Sequence, residues 1–290
     1  MNVPVISGVS DIAGAYDAYV LDLWGVLHDG ARAFPLAMEV LERLRGGGAR
    51  IAILSNAPRR AAEVARRIAG AGIGPEHYDF LMSSGEEAWQ YLAGERADDW
   101  YAGLGRRCFF IGPDGDRAML DGLDVSVADS VGEADFLLDL GPFGPADVIG
   151  DYEALLGEAA LLGCKMVCAN LDLLVHRLGQ VEICAGAIAE RYAALGGEVR
   201  WHGKPHASVY ETCLEGLAPV DRARVLVVGD SLRTDIKGAN AAGLDSLLVT
   251  AGIHKDEMLG VGGTPDAGKI AAVTARAGIT PTHACGKLTW

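Results

Sequence analysis

Residues 19–30, YVLDLWGVLHDG, contain a short apolar run that ends in a carboxylate. The run is rich in β-branched and aromatic residues, which predicts a buried β-strand. Asp22 follows it, and Gly25 permits a sharp turn directly behind. Ligands of open parallel sheets bind beyond the carboxyl ends of the strands, so Asp22 is the first candidate for chemistry. The alternative is an aspartate that only caps the next turn.

The segments that follow alternate between helix and strand patterns. FPLAMEVLERLRGGG at residues 34–48 has apolar residues on one helix face and ends in three glycines. RIAILS at residues 50–55 predicts a second strand, and Pro58 occupies the position that proline favours at a helix start. This β-α-β-α alternation is typical of a parallel sheet with right-handed crossovers.

A second set of alternating patterns begins near residue 83. RRCFFIGPDGD, DFLLDLGPFGP and KMVCAN read as strands, and GEEAWQYLAG and DYEALLGEAALLG read as helices. Patterns like those of the first part return at Lys204. We therefore predict an α/β protein with a core of residues 1–82 and 204–290. Residues 83–203 form an inserted α/β domain, long enough at roughly 120 residues to fold separately.

Composition excludes several classes of partner. The 290 residues include 25 Lys plus Arg and 39 Asp plus Glu, a formal charge of −14. This balance argues against nucleic acid or an anionic membrane as the main partner. The first residues, MNVPVISGVSDIAG, lack the features of a signal peptide, and no apolar run approaches ~20 residues. We expect a soluble cytoplasmic protein, and the sequence leaves its self-association into a homo-oligomer open.

The cysteines form no CxxC pair and lie mostly in apolar segments, so we expect free buried thiols rather than disulfides or a zinc site. They are Cys108, Cys164, Cys168, Cys184, Cys213 and Cys285.

Polar residues at predicted strand ends and helix starts form one constellation. Asp22, Ser55 and Lys204 are three of them, and the pair Asp230 and Asp235 follows the apolar run RVLVV. Carboxylates on two strand ends are the hard oxygen ligands that Mg²⁺ accepts. A serine hydroxyl with helix-start amides binds phosphate oxygens, and a lysine adds a point charge. Together these groups suit phosphoryl transfer.

At these residues the chain resembles the haloacid dehalogenase superfamily of phosphotransferases. Its first motif falls on DLWGV at residues 22–26 and its second on Ser55. The third falls on Lys204 in GKPHASVY and the fourth on GDSLRTDIKGANAAG at residues 229–243. The GKPH turn, the GDSLRTDI stretch and the large insertion resemble the class IIA branch, which contains p-nitrophenyl phosphatases and sugar phosphatases.

The resemblance implies a Rossmann-like core in which Asp22 is the nucleophile that forms an aspartyl-phosphate. It also implies Mg²⁺ held by the Asp22 carboxylate, the Trp24 carbonyl and Asp230, with Asp235 at the edge of the metal site. The inserted domain would be a cap that covers the site and selects a small phosphorylated metabolite.

The remaining implied roles concern the phosphoryl group. Ser55 and the amide of Asn56 would hold it, and Lys204 would balance its charge.

One residue departs from the family pattern. Trp24 stands where family phosphatases have a second aspartate, which protonates the leaving group and then activates water. His28 or Asp29 could carry the proton instead, although a His-Asp-Gly sequence after a strand is more typical of a turn.

Three further residues are candidates for substrate binding. Arg59 lies at a helix start and could reach a phosphate, although it also fits a solvated helix face with Arg60, Arg66 and Arg67. Asn170 and Asp172 follow a predicted strand of the inserted domain, where related caps often have Asn-Pro-Asp. The alternative for this pair is a simple Asx turn.

These observations leave three hypotheses. The first is a Mg²⁺-dependent phosphohydrolase of a small phosphorylated metabolite, possibly a sugar phosphate. The second is a binding or regulatory protein for a phosphorylated ligand, with little or no turnover because of Trp24. The third is a dehalogenase-like or phosphonate-cleaving enzyme, and the acidic pair Asp230 and Asp235 favours metal and phosphate over halide.

Overall fold

The computed structural model describes residues 3–96, 98–177 and 180–290. These residues form two compact units. The first unit comprises Met1–Ser55, Ala65–Met82 and Lys204–Trp290, and the second comprises Asn56–Val64 and Ser83–Gly203. The sequence placed residues 56–64 with the core, whereas their contacts lie in the second unit. The predicted role of the insertion as a cap stays a proposal.

The larger sheet has six strands in the order β13-β12-β11-β1-β2-β3. The pairings from β13 through β2 are parallel. The strands are β1 (Ala18–Leu21), β2 (Arg50–Ser55), β3 (Phe80–Ser83), β11 (Val225–Gly229), β12 (Asp245–Val249) and β13 (His283–Cys285). The Rossmann-like α/β core predicted from the sequence is confirmed.

The second sheet is wholly parallel, in the order β10-β7-β6-β4-β5, and a separate antiparallel hairpin accompanies it. The sheet strands are β4 (Arg107–Ile111), β5 (Ser126–Val127), β6 (Phe136–Asp139), β7 (Lys165–Cys168) and β10 (Val199–Trp201). The hairpin strands are β8 (Leu174–Arg177) and β9 (Gln180–Ile183).

Helices flank both sheets. In chain order they are α1 (Pro35–Gly46), α2 (Ala61–Gly70), α3 (Ser84–Leu92), α4 (Asp99–Ala102), α5 (Glu153–Leu162), α6 (Ala185–Ala194), α7 (Ala207–Leu217), α8 (Lys237–Ala241), α9 (Lys255–Met258) and α10 (Ala267–Ala277). A single π-helical turn, Leu232–Ile236, precedes α8. Apolar side chains are buried in each unit, for example Val227 and Tyr210 in the first and Leu137 and Ile188 in the second.

The sequence predicted most of these elements, but one helix start was wrong. The helix expected to begin at Pro58 begins at Ala61, because residues 57–60 form a turn. In that turn the Arg59 N–H donates to the Ala57 carbonyl at 2.8 Å. The sequence did not predict β3, the β8-β9 hairpin or α6.

Two expectations about the chain as a whole can be compared with the structure. The six cysteines are buried thiols outside any disulfide, as predicted. Within the described ranges no helix is long and apolar enough to cross a membrane. The cytoplasmic location stays a prediction.

Burial in the second sheet predicts a large difference between two leucines. Leu137 lies in β6 and is fully buried, whereas Leu161 in α5 is 91% exposed. Leu137→Ala should lower the free energy of unfolding by about 2–5 kcal/mol, because it removes buried methyl groups and leaves a cavity. Leu161→Ala should change it by no more than about 0.5 kcal/mol. Denaturant unfolding of both variants checks this, and equal losses would contradict the packing.

Candidate active site

Three carboxylates converge in the first unit. Asp22 follows β1, Asp230 follows β11, and Asp235 lies in the π-helical turn. One oxygen of each lies within 4.8 Å of the others, and all three residues are buried. β1 and β11 are paired in parallel, with Leu21 opposite Val228, so Asp22 and Asp230 leave the sheet at the same edge. The sequence-predicted acidic residues are therefore neighbours.

A buried lysine lies among these acids. Lys204 is 3% exposed, and its Nζ donates to Asp22 Oδ1 at 2.5 Å and to Asp235 Oδ1 at 2.7 Å. The two contacts connect the residues that the sequence proposed as nucleophile and supporting acid. One ammonium charge offsets only part of the charge of three carboxylates.

Asp230 shows the cost of this crowding. Burial, followed by the nearby Asp22 and Asp235 carboxylates, raises the pKa of Asp230 well above its usual value. The Ile253 N–H donates to Asp230 Oδ2 at 2.9 Å, which orients the carboxylate. A divalent cation is the partner that such a group of oxygens favours, so the donor set fits Mg²⁺.

The backbone approaches the acids closely at glycines. Gly25 has φ +80°, and a Cβ atom there would lie 2.3 Å from Asp230 Oδ2. A Cβ at Gly252 would lie 2.0 Å from the same oxygen, so neither position admits a side chain without displacing Asp230. The sequence analysis missed Gly252 and Ile253. The Thr-Ala-Gly sequence at residues 250–252, directly after the strand DSLLV, is the signal that could have found them.

Ser55 is the last residue of β2 and is buried. β2 pairs with β1 in parallel, with Ile53 opposite Leu21. Ser55 therefore leaves the sheet at the same edge as Asp22, as the sequence predicted.

The loop after Asp22 is packed around Trp24. The Trp24 indole meets the His28 ring edge-on, with centroids 5.4 Å apart. A Cβ at Gly30, where φ is +95°, would lie 2.3 Å from the indole, so the ring covers a position that only glycine can occupy. Trp24 thus has a packing role in this loop.

His28 and Asp29 have defined partners in this loop. His28 Nδ1 accepts the Gly30 N–H at 2.7 Å, and burial lowers the pKa of His28, which keeps the ring neutral at neutral pH. Asp29 Oδ1 accepts the N–H groups of Ala31 and Arg32, each at 2.9 Å. These are the contacts of a turn, the role that the sequence favoured for His-Asp-Gly.

The second unit brings three predicted substrate-binding residues together. Asn56 Nδ2 donates to Asp172 Oδ1 at 3.0 Å, and the Asp172 N–H donates to Asn170 Oδ1 at 2.8 Å. Asn170 therefore forms the Asx turn named as its alternative role. The Asp172 side chain also contacts Asn56, which directly follows Ser55 in the chain.

Arg59 has a carboxylate partner in the second unit. Its Nε and Nη2 donate to the two oxygens of Asp116 at 2.7 and 2.6 Å. Arg60 forms a similar pair with Glu86. The solvated helix face predicted for these arginines is therefore wrong for Arg59 and Arg60, which precede α2, whereas Arg66 and Arg67 are exposed on α2. Phosphate binding by Arg59 stays a prediction and would have to compete with Asp116.

Comparison with known proteins identifies the family. A haloacid dehalogenase-like hydrolase model matches residues 19–126, and a HAD-hydrolase-like model matches residues 201–274. The first range contains Asp22 and Ser55, and the second contains Lys204 and both later aspartates.

Individual proteins extend this similarity over most of the chain. Human chronophin is 30% identical, covering 87% of this chain and 86% of its own length. The crystal structure of a haloacid dehalogenase-like hydrolase from Brucella suis is 31% identical with a TM-score of 0.83, covering 98% and 100% of the two chains. A Mycobacterium tuberculosis glycerol phosphate phosphatase in complex with magnesium is 26% identical with a TM-score of 0.63, covering 87% and 71%.

The chain therefore belongs to the haloacid dehalogenase-like hydrolases. The resemblance to the class IIA branch is confirmed, and the protein is an enzyme of the phosphatase type.

The crowded acids predict an unusual pH dependence of stability in the metal-free protein. Because the pKa of Asp230 is raised on folding, the folded state binds more protons than the unfolded state above about pH 4, and stability falls as pH rises. Asp230→Asn removes this penalty. It should raise the Tm at pH 7 to 8 and leave it nearly unchanged near pH 4.

Thermal unfolding in the presence of a chelator measures this effect. Asp29→Asn is the control, because hydrogen bonds from Arg32 and Ala31 lower the pKa of Asp29 and its charge does not oppose folding. A lower Tm for Asp230→Asn at pH 8 would contradict the proposed repulsion.

Proposed function

We propose that this protein is a Mg²⁺-dependent phosphohydrolase of small phosphorylated metabolites that uses Asp22 as its nucleophile. The observation that carries the proposal is the group of three buried carboxylates within 4.8 Å of one another, with the Lys204 ammonium bonded to two of them. The glycerol phosphate phosphatase structure with magnesium supports the metal and a small substrate. The proposed substrates, small phosphorylated metabolites, include sugar phosphates.

The metal ligands would be the carboxylates of Asp22 and Asp230 and the carbonyl of Trp24, with Asp235 supporting the site. When bound, Mg²⁺ supplies positive charge that offsets the phosphoryl oxygens. The raised pKa of Asp230 and its orientation by Ile253 are consistent with a carboxylate that is stabilised by a cation.

The proposed hydrolysis has two steps, and each catalytic residue has a separate role in them. The Asp22 carboxylate attacks phosphorus, the ester P–O bond breaks, and the departing oxygen takes up a proton from solvent water. Water then attacks the phosphoryl group on Asp22, which releases phosphate and restores the carboxylate. Lys204 lies within hydrogen-bond distance of Asp22 and offsets charge in both steps, and Ser55 with the Asn56 amide would hold the phosphoryl oxygens.

Trp24 supports a second candidate function, which is binding of a phosphorylated ligand with little turnover. Its indole packs against His28 and over Gly30 in the position where a proton carrier is expected. Such a protein would serve as a sensor or regulatory partner. The two functions differ in phosphate release and share the metal site.

A screen of phosphorylated metabolites for phosphate release, with and without Mg²⁺, tests the proposal. Asp22→Asn should abolish release because it removes the nucleophile, and Glu39→Gln, in the partly exposed Glu39–Arg43 ion pair of α1, should retain it. Asp230→Asn should lower Mg²⁺ affinity in calorimetry together with turnover. Unchanged Mg²⁺ binding in Asp230→Asn would show that the metal is placed wrongly. Ligand binding without any release would favour the second function.

Trp24 predicts a preference for good leaving groups. A positioned general acid or base is worth ~10²–10⁴ in rate, so a site without one should hydrolyse activated aryl phosphates faster than alkyl or sugar phosphates. Trp24→Asp should narrow this gap, provided that the loop stays folded without the indole. The measurement is kcat/KM for an aryl and an alkyl phosphate in both proteins.

Rapid alkyl phosphate hydrolysis by the native protein would contradict this prediction. His28→Ala and Asp29→Ala would then show which of the two residues carries the proton.

A further inference from the structure

A buried acid in the second unit has two partners on the chain segment that precedes Lys204. Glu87 lies in α3 and is 1% exposed. Its Oε2 accepts the Gly203 N–H at 2.9 Å and lies 3.3 Å from Nδ1 of His202, which is 4% exposed. A carboxylate this deeply buried requires partners that replace its hydration. Glu87 finds them on the two residues directly before Lys204.

His202 is held from its other side as well. Its Nε2 forms a hydrogen bond with the Tyr101 hydroxyl, and its ring packs against Tyr91 with centroids 5.2 Å apart. Burial raises the pKa of Tyr101, so the phenol keeps its proton and can donate it to Nε2. When Tyr101 donates to Nε2, Nδ1 is the ring nitrogen that can donate to Glu87 Oε2. His202 is thereby fixed between a donor and an acceptor.

Gly203 also lies close to Asn56 and Ser84. Its φ of +99° favours glycine, and a Cβ there would lie 2.5 Å from Asn56 Oδ1 and 2.6 Å from Ser84 Cβ. The His202 N–H donates to the Cys168 carbonyl at 3.0 Å, which continues the β10-β7 pairing up to this point. The peptide that leads into Lys204 therefore has little freedom in the second unit.

We propose that Glu87 is a positioning residue for Lys204. The lysine side chain has four rotatable methylene groups, so the place of its ammonium group depends on a fixed backbone origin. Glu87 fixes that origin through Gly203, and the ammonium group then meets Asp22 and Asp235. The link to catalysis rests on the proposed function, whereas the anchoring of Gly203 does not.

Amide hydrogen exchange tests the anchor without reference to activity. Glu87→Ala should speed exchange of the Gly203 amide by roughly 10- to 100-fold, the range for losing a hydrogen bond to a charged group. Glu87→Gln should have a smaller effect, because its amide oxygen can still accept. Glu86→Gln is the matched control, since Glu86 precedes Glu87 on α3 and bonds to Arg60 and Ala61 instead. Unchanged Gly203 exchange in Glu87→Ala overturns the proposal.

Kinetics with p-nitrophenyl phosphate and Mg²⁺ test the connection to Lys204. Glu87→Gln should lower kcat by up to roughly 10²-fold with KM nearly unchanged, because a displaced ammonium group fails mainly in the transition state. In a Lys204→Arg background, Glu87→Gln should lower kcat little further, because the ammonium position that Glu87 maintains is already lost. Losses that multiply in the double variant overturn the positioning role.

The two proposals fail in different ways. A native protein that hydrolyses no phosphate ester contradicts the proposed function, while Gly203 exchange still decides whether Glu87 is an anchor. An active native protein with kcat unchanged in Glu87→Gln and Glu87→Ala contradicts only the role of Glu87. If Glu87→Ala does not fold, Glu87→Gln carries both measurements.

Discussion

Repulsion among three buried carboxylates is the main constraint on the site in the first unit. Asp22, Asp230 and Asp235 share a small volume with low access to water, and the raised pKa of Asp230 is the direct result. Lys204 offsets part of this charge through its contacts with Asp22 and Asp235. Such an arrangement is unfavourable in an empty site and favourable around a cation. The crowding is therefore consistent with the proposal that the acids are metal ligands, and it does not suit a role in stabilising the fold.

The sequence predicted the acids and most strands, but it did not predict the groups that orient them. Apolar runs that end in Asp22, Ser55 and Asp230 carry a clear pattern, and parallel pairing places their ends at one edge. The N–H donor of Ile253 has no such signal, because every residue except proline has one. The pairing of Arg59 with Asp116 was equally hidden, since no spacing rule connects residues 57 positions apart.

The family motif combines a nucleophile with a proton carrier, and Trp24 replaces the proton carrier in this chain. The proposed nucleophile Asp22, the proposed metal ligand Asp230 and Lys204 lie close together, as the proposed attack on phosphorus and charge neutralisation require. The indole, however, has no group that titrates near neutral pH, and it packs against His28 and over Gly30. Burial lowers the pKa of His28, and its Nδ1 accepts the Gly30 N–H. Proton transfer is therefore the step for which this loop is least equipped.

Two residues of the second unit adjoin residues of the proposed site along the chain. The chain crosses between the units after Ser55, Val64, Met82 and Gly203. The first crossing joins Ser55 to Asn56, and the last joins Gly203 to Lys204. In the second unit Asn56 and Gly203 are neighbours, because a Cβ on Gly203 would lie 2.5 Å from Asn56 Oδ1. Asn56 is bonded covalently to Ser55, the proposed phosphoryl ligand, and Gly203 is bonded to Lys204, the proposed charge-balancing group. A substitution that displaces either neighbour should therefore disturb Ser55 and Lys204 together, although neither of these two residues has been changed.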